Sequence, residues 1–382
     1  MRLIPRSRRG WIVLGVLALG FALGAWWVNR ELEPRRLTAI VLGKLGSSLK
    51  LDLRFDGLPD YALRPEPRLL IPNLVASDPA SGAVILHTEQ LEVSLPWATL
   101  TGGEPVITRI DLLKPKLDLP ALQRWIATLP KTPFKVPTLT RGIRIRQGEV
   151  QADGWRLSAV ELTLPRLKQN EAASADIAFH FAQGKTAAAF VGKLQVATAG
   201  LSSDLQIEGT GKLEQSPKPL AYSIALDGHY LSDDAGFRLD VKSLRLQGDS
   251  PLPTLALHGH AVAGDSLQLA LDGELAQWPK DWPALPAPLN ESKGPLPISL
   301  SYQGKPDLSD ALTLNAAMGE TKFDSKLRLP QLQPWLAADN AGPLPPLTGT
   351  LVSPQLNVTG IELKGVSVEI EDDPPADAPP KP

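Results

Sequence analysis

Apolar and polar residues alternate along most of this chain. In SLQLALDGEL (266–275), Leu267, Leu269 and Leu271 occupy every second position, Gln268 and Asp272 fall between, and Gly273 ends the run. A period of two puts the leucines on one face of a strand and the polar residues on the other. The cadence recurs as LQIEG (205–209), IALDG (224–228), LRLQG (244–248) and LALHG (255–259). Earlier strand candidates are LKLDLRFDG (49–57), AVILHTEQLEVSL (83–95), VITRIDLLKPKLDL (106–119), GIRIRQGEV (142–150), WRLSAVELTL (155–164), DIAFHF (176–181) and AAAFVGKLQV (187–196). ISLSYQG (298–304) and PQLNVTGIELKGVSVEI (354–370) close the series. The pattern predicts about eighteen strands, separated by Pro- and Gly-bearing turns. A period nearer four occurs in ALQRWIATL (121–129), which predicts one short soluble helix with Leu122, Trp125, Ile126 and Leu129 on one side.

Antiparallel sheets are commonly apolar on one face only. That face is either buried against a second sheet, as in a sandwich, or left open to line a groove. Periodicity does not choose between the two, and the sandwich is the commoner architecture.

The first thirty residues follow neither period. WIVLGVLALGFALGAWWV (11–28) is unbroken apolar sequence, enough for a helix of roughly 27 Å against a hydrocarbon core of about 30 Å. Arg2, Arg6, Arg8 and Arg9 precede it, so the positive-inside rule places the N-terminus in the cytoplasm and the remaining chain on the exported side. A cleaved signal peptide is the rival reading, although the run is long for one and no clear A-x-A site follows. PRRLTAIVLGKLGSS (34–48), with Leu37, Ile40, Val41 and Leu45 on one face, predicts a short amphipathic helix on the membrane or against the first strands. TLPKTPFKVPT (128–138) is a proline-rich join, and QWPKDWPALPAPLNESKGPLP (277–297) a long surface excursion.

Charge and composition narrow the function. A net charge of −2 removes the basic face that nucleic-acid binding requires. There are no cysteines, hence no disulfide framework and no thiolate chemistry. His258 and His260 share a strand face at ligand-like spacing, but a third metal ligand is not in view, and exposed histidines beside a turn are the plain reading. GKT at 184–186 lacks the first glycine of a phosphate loop, since Phe179 stands there, and reads as a hairpin turn. No Ser-His-Asp order and no G-x-S-x-G is recognisable, and the five histidines offer no general base. Trp97, Trp125, Trp155, Trp278, Trp282 and Trp335 suit either core packing or a lipid-facing rim. The expectation is a protein that is not an enzyme, with no catalytic, cofactor or metal residues; a third reading, an envelope hydrolase, has no activated nucleophile to support it.

Leu37 to Leu119 resembles the N-terminal region of the AsmA family of bacterial envelope proteins. The parts come in the family's order: a membrane helix, a short helix, LKLDLRFDG, the proline-bearing PEPRLLIPNLVASDPASG, then TEQLEVSLPWATLTGGEPVITRIDLLKPKLDL with its L-x-x-P-x-L-x-L cadence. IRIRQGEV and PQLNVTGIELKGVSVEI are similar to recurrent and C-terminal strands of that family. The chain departs from it in reading LGSSLK where Thr-Gly-Arg is usual, and it is short for the family.

The resemblance implies a single-pass inner-membrane protein of a Gram-negative envelope, with its C-terminus in the periplasm. It implies a mostly β fold: an N-terminal transmembrane helix, then a long, twisted, largely antiparallel sheet forming an apolar groove, with a few short helices. The segments would be a cytoplasmic stub and anchor (1–30), an AsmA-like module (31–129), a repetitive β-rich region (130–370) and a disordered tail (371–382). The implied function, as in bridge-like lipid-transfer proteins, is lipid transport or outer-membrane biogenesis. Leu205, Ile207, Leu255, Leu257, Leu267, Leu269 and Leu271 are the candidate groove lining. Phospholipid or another envelope lipid is the expected partner, with the inner membrane and an envelope protein or a second copy beside it, and with no cofactor. A β-scaffold with its apolar face closed, assisting assembly or targeting of outer-membrane or secreted proteins, is the alternative.

Overall fold

The computed structural model describes Thr38, Leu42, Gly43, Gly46, Ser47 and residues 50–371, apart from 63–66, 97–106, 130–135, 137, 185, 215–218, 234–235, 265, 280–293, 332–345 and 359–360. The expected membrane anchor and the C-terminal tail fall outside these residues, as does most of the excursion at 277–297. Among the described residues no helix is long and apolar enough to cross a membrane. The fold is mostly β, with twenty strands among the described residues where the sequence suggested about eighteen.

Two compact units divide between Pro115 and Lys116. The helix at 121–129 therefore belongs with the second unit, whereas the sequence reading closed the first module at residue 129. In the first unit, β1 (Asp52–Phe55) and β2 (Asp60–Ala62) both pair with β3 (Arg68–Ser77), which pairs with β4 (Val84–Ser94), and β4 with β5 (Arg109–Leu113), all antiparallel. Leu69, Ile71, Leu74, Leu91, Val93 and Leu95 form its buried core, and Leu42, from a helical turn, packs into it. Leu42 is not on the face expected for that segment; Leu37, Ile40, Val41 and Leu45, which are, lie outside the described residues.

β3 does not show the period of a strand, because Pro72 interrupts it and its apolar residues are out of phase. Asn73 explains the phase. Its φ of 44° lies in the left-handed region, and it has no Cα partner between the pairs Pro72–Gln90 and Leu74–Thr88. Glu89 is passed over opposite it, so both strands step together, and Ile71 and Leu74 enter the same core.

The second unit starts with β6 (Lys116–Asp118) and α1 (Leu119–Thr128). Asp118 caps this helix, its carboxylate accepting the Ala121 N–H at 2.7 Å, and Pro120 suits the first turn. Fourteen strands follow: β7 (Ile143–Gln151), β8 (Arg156–Leu164), β9 (Ala173–Gln183), β10 (Thr186–Val196), β11 (Ser202–Glu214), β12 (Leu220–Asp233), β13 (Gly236–Gly248), β14 (Leu255–Ala263), β15 (Leu267–Leu275), β16 (Leu296–Gly304), β17 (Ala311–Met318), β18 (Thr321–Arg328), β19 (Leu347–Val358) and β20 (Ile361–Glu371). Each pairs antiparallel with the next in an uninterrupted meander. β6 is parallel to its neighbour, β7. The GKT segment is a hairpin turn: Gln183 closes β9, Thr186 opens β10, and Gly184 has a φ of 56°.

Candidate functional site: the apolar face of the meander

Directly opposed residues of antiparallel strands point to the same side, so the registers assign every side chain of the meander to one of two faces. Leu205, Ile207, Leu255, Leu257, Leu267, Leu269 and Leu271 all fall on one of them. The row that begins Leu194, Ile207, Leu226, Leu244, Leu257 runs strand to strand as far as Val368. Among the described residues from β7 to β18, this face carries no Asp, Glu, Lys, Arg or His; the charged side chains of those strands all stand on the other face.

Local irregularities preserve this segregation. Gln147 and Ala159 take positive φ at bulges in β7 and β8, and Lys242–Ser243 bulge in β13, each restoring the phase. In β19 and β20, Pro354 and Gly365 face each other unpaired, with Gly365 at a φ of 63°, so both strands step over together. Leu356 thereby stays buried, while Lys364 and Glu362 stay on the charged side, where Glu362 accepts a hydrogen bond from Gln355 at 2.7 Å.

The repeated glycine has a role the pattern did not disclose. In LQIEG or LALHG it lies two residues past an apolar position, hence on the apolar face. Gly192 and Gly209, paired across β10 and β11, both lie under the Phe190 ring; a Cβ at Gly192 would come within 2.6 Å of it. The Tyr222 ring covers Gly211 in the same way. Large rings lie down on these glycines instead of standing up, which keeps that part of the face low. Phe179 stacks at 5.2 Å from Phe190, and Trp155 lies 6.2 Å from Phe181.

Several hydroxyls on this face are turned inward. Tyr222 donates to the Ala189 carbonyl (3.2 Å), Tyr230 to Gly200 (2.9 Å) and Tyr302 to Lys305 (2.7 Å). Ser325 donates to Leu314 (3.0 Å), and Ser353 to Gln355 (2.8 Å) while meeting Thr321 at 2.8 Å. With their hydrogen-bonding capacity used internally, they leave a surface of carbon. Burial raises the Tyr222 and Tyr302 phenols above their ordinary range, which keeps them neutral and donating.

Among the described residues no second sheet lies on this face: the main contacts of each strand are with its neighbours in the meander, although the sheet curls far enough for Gln183, at the end of β9, to donate to the Asp307 carbonyl after β16 at 3.2 Å. Even so, Val241, Leu257 and Leu271 are each only 6 % exposed, with Leu239, Leu244 and Ile298 packed against them. Their cover comes from side chains on adjacent strands.

The opposite face is polar and holds two open depressions of about 910 and 920 Å³. Lys242, Arg245, His258, Asp272 and Lys322 are among the residues lining the first, and Glu161, Asp176, Lys193 and Glu208 line the second together with Ile177, Val191 and Ile224. His258 and His260 are exposed here, opposite Asp272 and Asp240. Among the described residues no three His, Cys, Asp or Glu side chains are placed to hold a metal.

This face also brings together a set that chain order concealed. Asp204 on β11 lies directly opposite His229 on β12, whose Nδ1 is 3.0 Å from the Asp204 carboxylate, and Ser202 Oγ is 2.9 Å from His229 Nε2. The sequence offered no Ser-His-Asp order because a strand and a turn separate the partners; only the β11–β12 register joins them.

Of the tryptophans, Trp97, Trp282 and Trp335 lie outside the described residues. Compared with family models, curated proteins and solved structures, the chain matches none.

Proposed function

We propose that this chain handles lipid in a bacterial envelope, with the apolar face of the meander forming an open groove that shields acyl chains. One observation carries the reading: charge is segregated from carbon across the meander, with no layer among the described residues to cover the carbon side. A continuous apolar surface of this size is costly to leave in water and is ordinarily a binding surface. At about 4.8 Å per strand the rows extend roughly 60 Å, long enough for whole acyl chains and short of a full crossing between membranes. The face itself calls for no chemical step.

The apolar run at 11–28, with its preceding arginines, supports attachment to an inner membrane and a periplasmic sheet. The resemblance of residues 37–119 to AsmA proteins points the same way. The test is mass spectrometry of lipids retained by the gently purified full chain. Co-purified phospholipid that disappears in a folded Leu269→Asp/Leu271→Asp double variant is the expected result. Undiminished lipid in the variant, or none in the parent, sinks the reading and favours a scaffold.

A further inference from the structure

We propose that Ser202, His229 and Asp204, on the polar face and independent of the groove, form a nucleophilic centre that takes up the acyl group of a carboxylic ester. The hydrogen-bond directions fit one tautomer. With Nδ1 protonated and donating to Asp204, Nε2 is left to accept the Ser202 hydroxyl proton. Lys242, from β13, donates to the same Asp204 oxygen at 2.9 Å and fixes the carboxylate from the far side. Lys242 is a positioning residue in this arrangement, since it touches only Asp204.

The neighbouring row suits a substrate. Ser202 lies opposite Leu231, and Leu231 opposite Arg238. Leu231 is 40 % exposed, and Val262 follows Arg238 in the same row. Leu231 offers a foothold for an acyl chain beside the nucleophile. Arg238 is the nearest cation along that row and is oriented by Asp240, to which its Nε donates at 2.9 Å. Arg238 lies two strands from Ser202 and is tied to Asp240, so it adds positive charge to the row without touching the reacting carbonyl.

The step balances without a co-reactant other than water. Ser202 Oγ forms a bond to the ester carbonyl carbon as its proton passes to His229 Nε2. The carbon–oxygen bond to the leaving alcohol then breaks, and that alcohol takes the proton from His229. Water next attacks the acyl-serine, giving its proton to Nε2, and release of the carboxylic acid returns that proton to Ser202. His229 and Asp204 are substantially solvent-exposed, at 42 % and 55 %. Their electrostatic help is therefore weaker than in a closed site, and the acyl-serine should form more readily than it turns over.

The experiment treats the full-length protein in detergent with a fluorophosphonate probe and with p-nitrophenyl butyrate. Adducts are located by peptide mass spectrometry, and folding of each variant is checked by circular dichroism. A single adduct at Ser202 is expected, absent in Ser202→Ala and slowed at least tenfold in His229→Ala. Asp204→Asn should slow labelling by a similar factor, and Lys242→Met by a few-fold. In the parent the labelling rate should depend on pH, with Asp204, Asp240 and Lys242 around His229, and in His229→Ala this dependence should be lost. Absence of a Ser202 adduct, labelling spread evenly over surface serines, or an unchanged rate in folded His229→Ala would overturn the proposal. The lipid content of Ser202→Ala should match the parent's, which separates failure here from failure of the groove reading.

Discussion

The two units build their sheets from the same kind of one-sided strand and finish them differently. In the first, Ile71 has no exposed surface and Val93 has 1 %, in a core that Leu42 enters from a helical turn. In the second, the meander repeats the pattern over fourteen strands, and its apolar side chains are covered edgewise by their neighbours. Alternation therefore specifies which face is apolar, and something outside the strand decides whether that face becomes a core or a surface. The same leucine should have a different energetic weight in the two settings.

The largest test of this contrast is a matched pair of charge insertions. Ile71→Asp should remove roughly 4 kcal/mol or more, because a carboxylate would be enclosed without a partner. Leu269→Asp, on the half-buried open face, should cost about half as much or less and leave the unit folded. Equal losses in urea titrations would mean that the meander's apolar face is as closed as the core of the first unit.

A smaller effect probes how rings and glycines divide the face. Gly209→Leu should destabilise the meander by about 1–3 kcal/mol, since the new side chain meets the Phe190 ring and the Val191 carbonyl. Combining it with Phe190→Ala should recover part of that loss. Strict additivity in the double-mutant cycle would show that the ring does not lie on Gly209.

The smallest effect belongs to the polar face. Hydrogen bonds from Lys242, then from His229, hold the Asp204 carboxyl below its ordinary range, and hydrogen bonding to Arg238 does the same for Asp240. A carboxyl lowered in the folded state adds stability above its unfolded value and loses it as pH falls through the folded value. Both groups are solvent-exposed, so the resulting acid sensitivity should be slight. Carbon-detected NMR titration should find Asp204 low in the parent and higher in Lys242→Met; no change between the two would remove Lys242 as the main cause.

The alternation that reveals the meander is legible because every second residue is apolar wherever a strand is regular. For that reason Leu205, Ile207 and the five leucines of β14 and β15 could be grouped on one face before any register was known. Legibility failed where a strand steps out of phase. β3 was hidden by Pro72 and Asn73, whose phase shift breaks the period that a one-sided strand should show. VITRIDLLKPKLDL read as one strand but divides into β5 and β6 near Lys114, which takes a φ of 49°. The association of Ser202, Asp204 and His229 was not legible at all. It depends on how β11 and β12 align, and local sequence carries little information about that when the polar face is solvated.

The meander has a consequence for how such a chain arises and folds. Every strand of the meander finds its partner among its immediate neighbours in sequence, so most of its hairpins close short loops, the connections after β15 and β18 excepted, and nucleation has little entropy to overcome. Pairing can then spread outward in both directions, as in repeat proteins, without waiting for distant segments to meet. Length becomes a free variable on the same logic. Duplicating one hairpin adds two strands, about 9.6 Å of sheet, while leaving every other pair and the phase of the apolar rows intact. A lineage built this way could lengthen or shorten its surface in whole hairpins, and LQIEG, IALDG, LRLQG and LALHG share the alternation and closing glycine that such growth would keep.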